Sequence, residues 1–236
     1  MRSKLMSLAA SKRSRLILAL DVFASCGSSR AMSEHVERLL EELRDIVVGV
    51  KIGLPLLLSL GVSRLKRLIA DFRNDYYMLA DFKLADVPHI MERSLERLSE
   101  MRFDGAILHL FPMGYERVAE SFRGKLGMYG VALMSHRGCE LLESSFDALL
   151  NYALKLGLDG VIVGATRLEA IRKARARLER TTLILSPGVG YQGGKEASAL
   201  EAGADFEIVG RLVTLSANPR ASVQRVVDAQ RRALGL

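Results

Sequence analysis

The chain of 236 residues has no tryptophan, two cysteines, five prolines and four histidines, and aromatic residues make up 6% of it. Two cysteines far apart, Cys26 and Cys139, exclude a disulfide framework, and neither belongs to a CxxC pair or has a histidine at zinc-ligand spacing. They are expected to be unpaired thiols, which fits a reducing, cytoplasmic compartment. No apolar run approaches the ~18 residues of a membrane span. The segment Leu5-Met6-Ser7-Leu8-Ala9-Ala10 is too short for a signal core and runs straight into Lys12 and Arg13. A soluble protein with no membrane partner is expected. The chain also lacks a GxSxG elbow, an HExxH pair and a P-loop, so serine hydrolase, zincin and Walker chemistries drop out.

What is abundant is positive charge and apolar surface. The net charge is +7 and 49% of residues are hydrophobic. Part of the basic excess sits in the first fifteen residues (Arg2, Lys4, Lys12, Arg13, Arg15), more between Arg167 and Arg180, and the rest includes Arg231-Arg232. Few aromatics interleave with these clusters and no nucleic-acid-binding motif accompanies them. The field therefore suits a small anionic substrate better than nucleic acid, and no nucleic-acid partner is expected.

Apolar or β-branched runs alternate eight times with amphipathic stretches. Strands are predicted at Leu16–Val22, Val47–Gly53, Tyr77–Leu84, Gly105–Phe111, Met128–Ser135, Gly160–Gly164, Thr182–Ser186 and Phe206–Gly210. Helices are predicted at Glu34–Asp45, Leu54–Phe72, Ile90–Met101, Tyr115–Phe122, Glu140–Leu156, Arg167–Leu178, Lys195–Ala202 and Pro219–Leu234. Continuously apolar strands, each followed by a helix, indicate a parallel sheet covered on its outer face. Eight such units in one domain of this length give an α/β fold, a (β/α)8 TIM barrel over residues 15–236. Residues 1–14 read as a basic extension outside that domain and open to disorder.

In such a barrel the chemistry lies at the C-terminal ends of the strands. Those ends carry Asp21, Lys51, Asp81 with Lys83, His109, Ser135 with His136, Pro187 with Gly188, and Gly210 with Arg211. The run Ala80-Asp81-Phe82-Lys83-Leu84-Ala85-Asp86-Val87-Pro88 is the densest of these. Alternation along a strand puts Asp81 and Lys83 on one face, and Pro88 puts Asp86 in a loop. Carboxylates alternating with ammonium groups, with Lys51 extending the array, suit proton movement at a defined carbon. The competing reading of an isolated DxKxxD is a structural salt bridge. After strand seven, Ser186-Pro187-Gly188-Val189-Gly190-Tyr191-Gln192-Gly193-Gly194 offers backbone N–H groups to an anion, and Arg211 after strand eight adds a guanidinium fork. These two loops are the recurrent phosphate site of the barrel. His109 and His136 carry weaker signals, each more simply a hydrogen-bonded structural histidine.

Six segments in order now show a resemblance: Leu18-Ala19-Leu20-Asp21, Val50-Lys51-Ile52-Gly53, Asp81 to Pro88, Met134-Ser135-His136, Ser186 to Gly194, and Val209-Gly210-Arg211. Together, from about residue 15 to residue 220, the chain resembles the orotidine 5′-monophosphate decarboxylase family. The resemblance implies cofactor-free, metal-free conversion of orotidine 5′-monophosphate to uridine 5′-monophosphate and carbon dioxide, in pyrimidine nucleotide synthesis. It implies that Lys83 protonates carbon 6 of the pyrimidine and that Asp81 lies beside the substrate carboxylate. Lys51 and Asp86 would complete the array, with Asp86 supplied to the neighbouring site across a homodimer interface. Asp21 and Lys51 would contact ribose hydroxyls and Ser135 would read the base. Pro187, Gly188, Gln192, Gly193, Gly210 and Arg211 would surround the phosphate.

The resemblance departs at Pro88-His89-Ile90-Met91. Microbial members usually carry Thr or Asn shortly after the proline, where this chain has Ile90, so one cross-subunit ribose contact changes and His89 is the nearby polar substitute. Two other readings compete. One is a magnesium-dependent sugar-phosphate enzyme of the same suprafamily, such as 3-hexulose-6-phosphate synthase, which carries an acidic residue where this chain has Lys51. The other is a basic barrel that binds RNA or a nucleotide without turnover, which predicts steeply salt-dependent binding.

Overall fold

The computed structural model describes residues 2–21 and 27–236, so Cys26 and the end of the first predicted strand lie outside the described residues. Eight parallel strands pair in sequence order, and β1 pairs with β8 to close a barrel. They are β1 (Leu16–Ala19), β2 (Gly49–Gly53), β3 (Tyr77–Leu84), β4 (Gly105–His109), β5 (Gly127–Leu133), β6 (Gly160–Val163), β7 (Leu183–Pro187) and β8 (Phe206–Val209). The helices are α1 (Arg2–Lys12), α2 (Ser29–Leu43), α3 (Leu54–Phe72), α4 (Pro88–Glu100), α5 (Glu116–Phe122), α6 (Glu140–Ser144), α7 (Phe146–Leu156), α8 (Leu168–Arg177), α9 (Ser198–Glu201), α10 (Arg211–Thr214) and α11 (Pro219–Leu234). Among the described residues no helix is long and apolar enough to cross a membrane.

The strands are buried on both faces, as continuous apolar runs require. Side chains alternate between the helix layer and the barrel interior. At the lower end of the interior, Tyr77 and Tyr129 pack edge to face and share a hydroxyl–hydroxyl hydrogen bond of 2.9 Å. Glycines make the room for them. A Cβ at Gly105 or Gly127 would sit 2.7 or 2.5 Å from the Tyr77 hydroxyl, and one at Gly160 would sit 2.8 Å from the Tyr129 ring. The bulk of two tyrosines thus fills the floor, and three strand-opening glycines are its counterpart in the sequence.

β4, β5, β6 and β8 end one or two residues earlier than predicted, β2 and β3 end where predicted and β7 runs one residue further, while β1 ends at Ala19 and leaves Asp21 beyond it. The predicted helix Glu140–Leu156 is two helices, α6 and α7, parted at Ser145, whose backbone leaves the helical region. Serine competes with the helix for backbone partners, and the Ser144 hydroxyl donates to the Leu141 carbonyl at 3.0 Å. The predicted helix Lys195–Ala202 shortens to α9 because Ala197 takes a left-handed conformation (φ 65°).

The first residues differ from the expectation of a disordered extension. Arg2–Lys12 form α1, with Leu5 and Ala9 buried against the closed lower end of the barrel. Lys4 holds the buried Asp104 carboxylate and donates to the Arg73 carbonyl at 2.7 Å. Asp104 in turn accepts the Met78 N–H at 2.8 Å. Lys12 donates to the Val47 carbonyl at 2.8 Å and lies 4.6 Å above the Tyr76 ring. Burial pushes its ammonium down to about 8, against the attraction of Asp75 and Asp45. The positive charges that look like a solvated tail are spent on carbonyls and a carboxylate at the barrel's base. Leu5→Ala should therefore destabilise the protein by roughly 2–4 kcal/mol, the usual loss for a buried leucine, in a urea titration. An unchanged midpoint would return α1 to the status of an appendage.

Candidate active site

At the upper mouth the inward residues change character. Ile107, Val131, Ile162 and Ile208 form an apolar floor, and above it opens a cavity of about 320 Å³. Asp21, Lys51, Asp81 and Lys83 line one wall; Pro187, Gly188, Tyr191, Gln192, Gly210 and Arg211 line another, with Met134 and Ser135 also present.

The charged wall is built around Lys51. β2 aims its side chain inward, where it is nearly inaccessible, and its ammonium binds Asp81 Oδ2 at 2.8 Å and Asp21 Oδ2. Asp81 turns its other oxygen, Oδ1, to the Lys83 ammonium. The result is a continuous series, Asp21–Lys51–Asp81–Lys83, with alternating sign. Burial alone would discharge Lys51, but Asp81 and Asp21 outweigh it and hold the ammonium above its ordinary value. Burial likewise opposes ionisation of Asp81, yet Lys51 and Lys83 win and hold its carboxyl below the usual range. The central pair, Lys51 and Asp81, is thus held in its charged form. Asp21 fits only because its neighbour on β2 is glycine: a Cβ on Gly53 would lie 1.9 Å from Asp21 Oδ1. That oxygen is buried and has no hydrogen-bond partner among the described residues.

Lys83 reaches Asp81 by a route that simple alternation does not describe. The pairing of β3 with β4 runs from Ala80↔Ala106 to Leu84↔Leu108, so four steps on β3 match two on β4. Within this bulge Lys83 has φ 48°, a left-handed conformation unfavourable for a side-chain-bearing residue. Phe82 anchors the bulge from the other side, edge to face with Phe103 at 6.0 Å. The bulge, rather than a regular pleat, aims the ammonium at the cavity.

On the opposite wall, the glycine-rich loop folds on itself. Gly190 N–H donates to the Gly194 carbonyl at 2.7 Å, Gly193 N–H to Gly190 at 2.8 Å and Gly194 N–H to Gly188 at 3.1 Å. Gly188 has φ 106°, and a Cβ there would lie 2.8 Å from both Gln192 Oε1 and Ser135 Cβ. Its absence lets the Ser135 hydroxyl donate to Gln192 Oε1 at 2.6 Å, which joins the β5 loop to the β7 loop across the mouth. The Arg211 guanidinium stacks 3.8 Å from the centre of the Tyr191 ring.

Two predicted residues do not line the cavity. Gly193 serves the turn just described. Asp86 is exposed on the rim, where its carboxylate accepts the Val87 N–H at 2.7 Å and its carbonyl accepts the Tyr115 hydroxyl at 2.8 Å. Sequence reasoning missed Tyr191, whose signal was its place in the glycine loop, and Thr166, whose hydroxyl donates to the Ser135 carbonyl at 2.7 Å. His109 ends β4 with Nδ1 buried and unpartnered among the described residues; burial, helped by Lys83, pushes its imidazole down. His136 is exposed.

The left-handed conformation at Lys83 makes a stability prediction separable from chemistry. Lys83→Gly should be more stable than Lys83→Ala by about 1 kcal/mol, because only alanine retains the Cβ that this backbone disfavours. Equal denaturation midpoints for the two variants would contradict a strained bulge.

Residues 14–226 match the family described as Orotidine 5'-phosphate decarboxylase / HUMPS family. The orotidine 5'-phosphate decarboxylase of Aeropyrum pernix is 38% identical over 224 residues, covering 91% of this chain and 87% of that protein. That of Saccharolobus solfataricus is 34% identical over 219 residues, covering 91% and 90%. Among solved structures, the orotidine 5'-phosphate decarboxylase from Pyrococcus horikoshii superposes with a TM-score of 0.79 at 31% identity, covering 92% of this chain and 99% of that one. The orotidine 5'-monophosphate decarboxylase from Methanocaldococcus jannaschii, complexed with the inhibitor BMP, gives 0.78 at 28% identity, covering 92% and 98%. With its barrel, its charged series and this similarity along nearly its whole length, the chain belongs to the Orotidine 5'-phosphate decarboxylase / HUMPS family.

Proposed function

We propose that this chain decarboxylates orotidine 5′-monophosphate to uridine 5′-monophosphate and carbon dioxide without a cofactor. The observation that carries the reading is the ion-paired Asp21–Lys51–Asp81–Lys83 series set across an apolar floor from a glycine-rich loop and Arg211. In the reaction, the bond from carbon 6 to the carboxylate breaks and its electron pair stays on carbon 6. A proton from the Lys83 ammonium moves to that carbon, carbon dioxide leaves, and water returns a proton to Lys83. No electron sink lies within the pyrimidine for this carbanion, so a fixed ammonium must stabilise it, acting more strongly on the developing charge than on the ground state. Asp81 holds the Lys83 ammonium in position before substrate arrives.

The other roles follow from the cavity. The unpartnered Asp21 Oδ1 is an acceptor suited to a ribose hydroxyl, with Lys51 beside it. Ser135 and Gln192 bridge the mouth where a base edge and a phosphate would both be in reach. Pro187, Gly188, Gly210 and Arg211 provide the phosphate end, and Gly193 shapes the turn behind it. Binding energy from phosphate, remote from carbon 6, can then be used to close loops over the base. The magnesium-dependent alternative is disfavoured by Lys51: its ammonium occupies the space between Asp21 and Asp81, the two carboxylates a cation would require.

The active form is proposed to be a homodimer in which Asp86 enters the partner's site. The rim that carries Asp86 exposes Val87, Ile90, Phe111 and Met113, an apolar surface on the loops after β3 and β4. Ile90 therefore fits a role in burying this surface in place of the usual polar contact.

Purified protein should consume orotidine 5′-monophosphate in EDTA, read as the fall in substrate absorbance. Lys83→Ala should lose turnover by at least a thousandfold, on the order expected when a charge-stabilising proton donor is removed, while still binding uridine 5′-monophosphate. No consumption, alongside magnesium-dependent release of formaldehyde from a hexulose phosphate, would overturn the reading. Mixing unfolded Lys83→Ala and Asp86→Ala chains and refolding them together should restore about a quarter of wild-type activity, because half of randomly paired dimers carry one intact site. Absence of any recovery would place Asp86 in its own chain's site or in none.

A further inference from the structure

β8 is apolar except for one residue, Glu207, which is completely inaccessible to solvent. Its neighbour Ile208 faces the cavity, so Glu207 points the other way, into the layer between barrel and helices. One carboxylate oxygen, Oε2, accepts two hydrogen bonds: from the Ala197 N–H at 3.1 Å and from Gln230 Nε2 on α11 at 3.0 Å. Gln230, equally buried, accepts the Arg15 N–H at 3.0 Å through its own carbonyl oxygen. The second carboxylate oxygen and the hydroxyl of Ser186, its register partner on β7, are buried without partners among the described residues. Burial pushes the Glu207 carboxyl up, against the donors on Gln230 and Ala197.

A carboxyl in this layer is costly, and an apolar residue of similar volume would pack there with less penalty. What it holds is the root of the anion loop. Ala197 sits three residues beyond Gly194, at the start of α9, in a left-handed conformation that an alanine does not favour. Glu207 ties that N–H to β8, and the same strand leads within three or four residues to Gly210 and Arg211. One side chain thus fixes the distance between the two halves of the anion site.

We propose that Glu207 is a positioning residue for anion binding, setting the glycine-rich loop against Gly210 and Arg211 through its bond to the Ala197 N–H. The inference rests on the decarboxylase reading for its substrate but not for its geometry. It predicts an effect on substrate affinity with little effect on the chemical step, since Glu207 touches neither substrate nor Lys83.

The test compares full-length wild type with Glu207→Asp, Glu207→Gln and Gln230→Leu, measuring kcat, KM and melting temperature with orotidine 5′-monophosphate. Glu207→Asp withdraws the acceptor by about one bond length and should raise KM at least fivefold with kcat within twofold. Glu207→Gln keeps an acceptor for Ala197 and can turn its amide group toward the Ser186 hydroxyl, so its KM should stay within twofold of wild type. Gln230→Leu removes the partner on α11 but not the loop bond; it should lower the melting temperature and leave KM unchanged. An unchanged KM in Glu207→Asp, or an equal rise in Gln230→Leu, would overturn the proposal and leave Glu207 a packing element. Should wild type show no turnover, the proposed activity fails, and the same variants are then compared by calorimetric Kd for inorganic phosphate. Weakening in Glu207→Asp alone would sustain the positioning role, and equal affinities would refute it.

Discussion

The site depends on an ammonium group buried between two carboxylates. Lys51 is carried inward on a strand, above an interior of isoleucine and valine, where an isolated charge would be lost to neutralisation. It stays charged because Asp81 and Asp21 both reach it, and Asp81 stays charged because Lys51 and Lys83 reach it. Removing one partner from a buried pair of this kind costs roughly 3–5 kcal/mol, a large share of a domain's net stability. The three groups therefore stand or fall together, and Gly53 supplies the space that lets Asp21 join them. Lys83 is the most exposed of the four side chains, and it inherits its position from Asp81.

This arrangement fixes a field before any substrate binds. Water around a free lysine would have to reorganise as charge developed on a nearby carbon, whereas an ammonium already held by a shared carboxylate does not. The apolar floor sharpens the effect by lowering the local dielectric beneath the reacting position. The opposite wall works differently. Its glycines close a turn by backbone hydrogen bonds, and Gln192 ties that turn to Ser135 on the loop after β5. In the proposed reaction, electrostatics at one end would serve transition-state stabilisation, and backbone shape at the other would serve substrate retention.

The barrel was legible because parallel strands buried on both faces leave an unbroken apolar signature, and the polar strand ends stood out against it. Lys51, Asp81 and Lys83 were found for that reason. The bulge that sets Lys83 was not visible, because Asp81-Phe82-Lys83-Leu84 alternates like an ordinary strand and only the pairing with β4 reveals the extra residues. Helix α1 was hidden by its charges: only Leu5 and Ala9 are fully buried along it, and the work of Lys4 and Lys12 is done on backbone and Asp104 atoms far away in sequence. The left-handed turn at Ala197 had no glycine to announce it, and one carboxylate in a four-residue strand carries no periodic signal that separates a buried glutamate from an exposed one.

The two ends of the barrel divide strain from stability. Below, Tyr77 and Tyr129 fill the interior, and α1 closes the base through Leu5, Lys4 and Lys12. Above, the structure carries an unfavourable backbone at Lys83, buried charges at Lys51 and Asp81, and atoms on Asp21 and His109 without partners among the described residues. Such features each cost on the order of 1–3 kcal/mol and persist only where surrounding structure over-determines them. Strand pairing transmits that support. β2 and β3 stay in continuous register from Gly49↔Tyr77 to Gly53↔Asp81, so the base on which Tyr77 rests and the mouth where Asp81 meets Lys51 belong to the same rigid ribbon. A well-packed base is what allows the mouth to hold four like-strength charges within contact of one another before a ligand arrives.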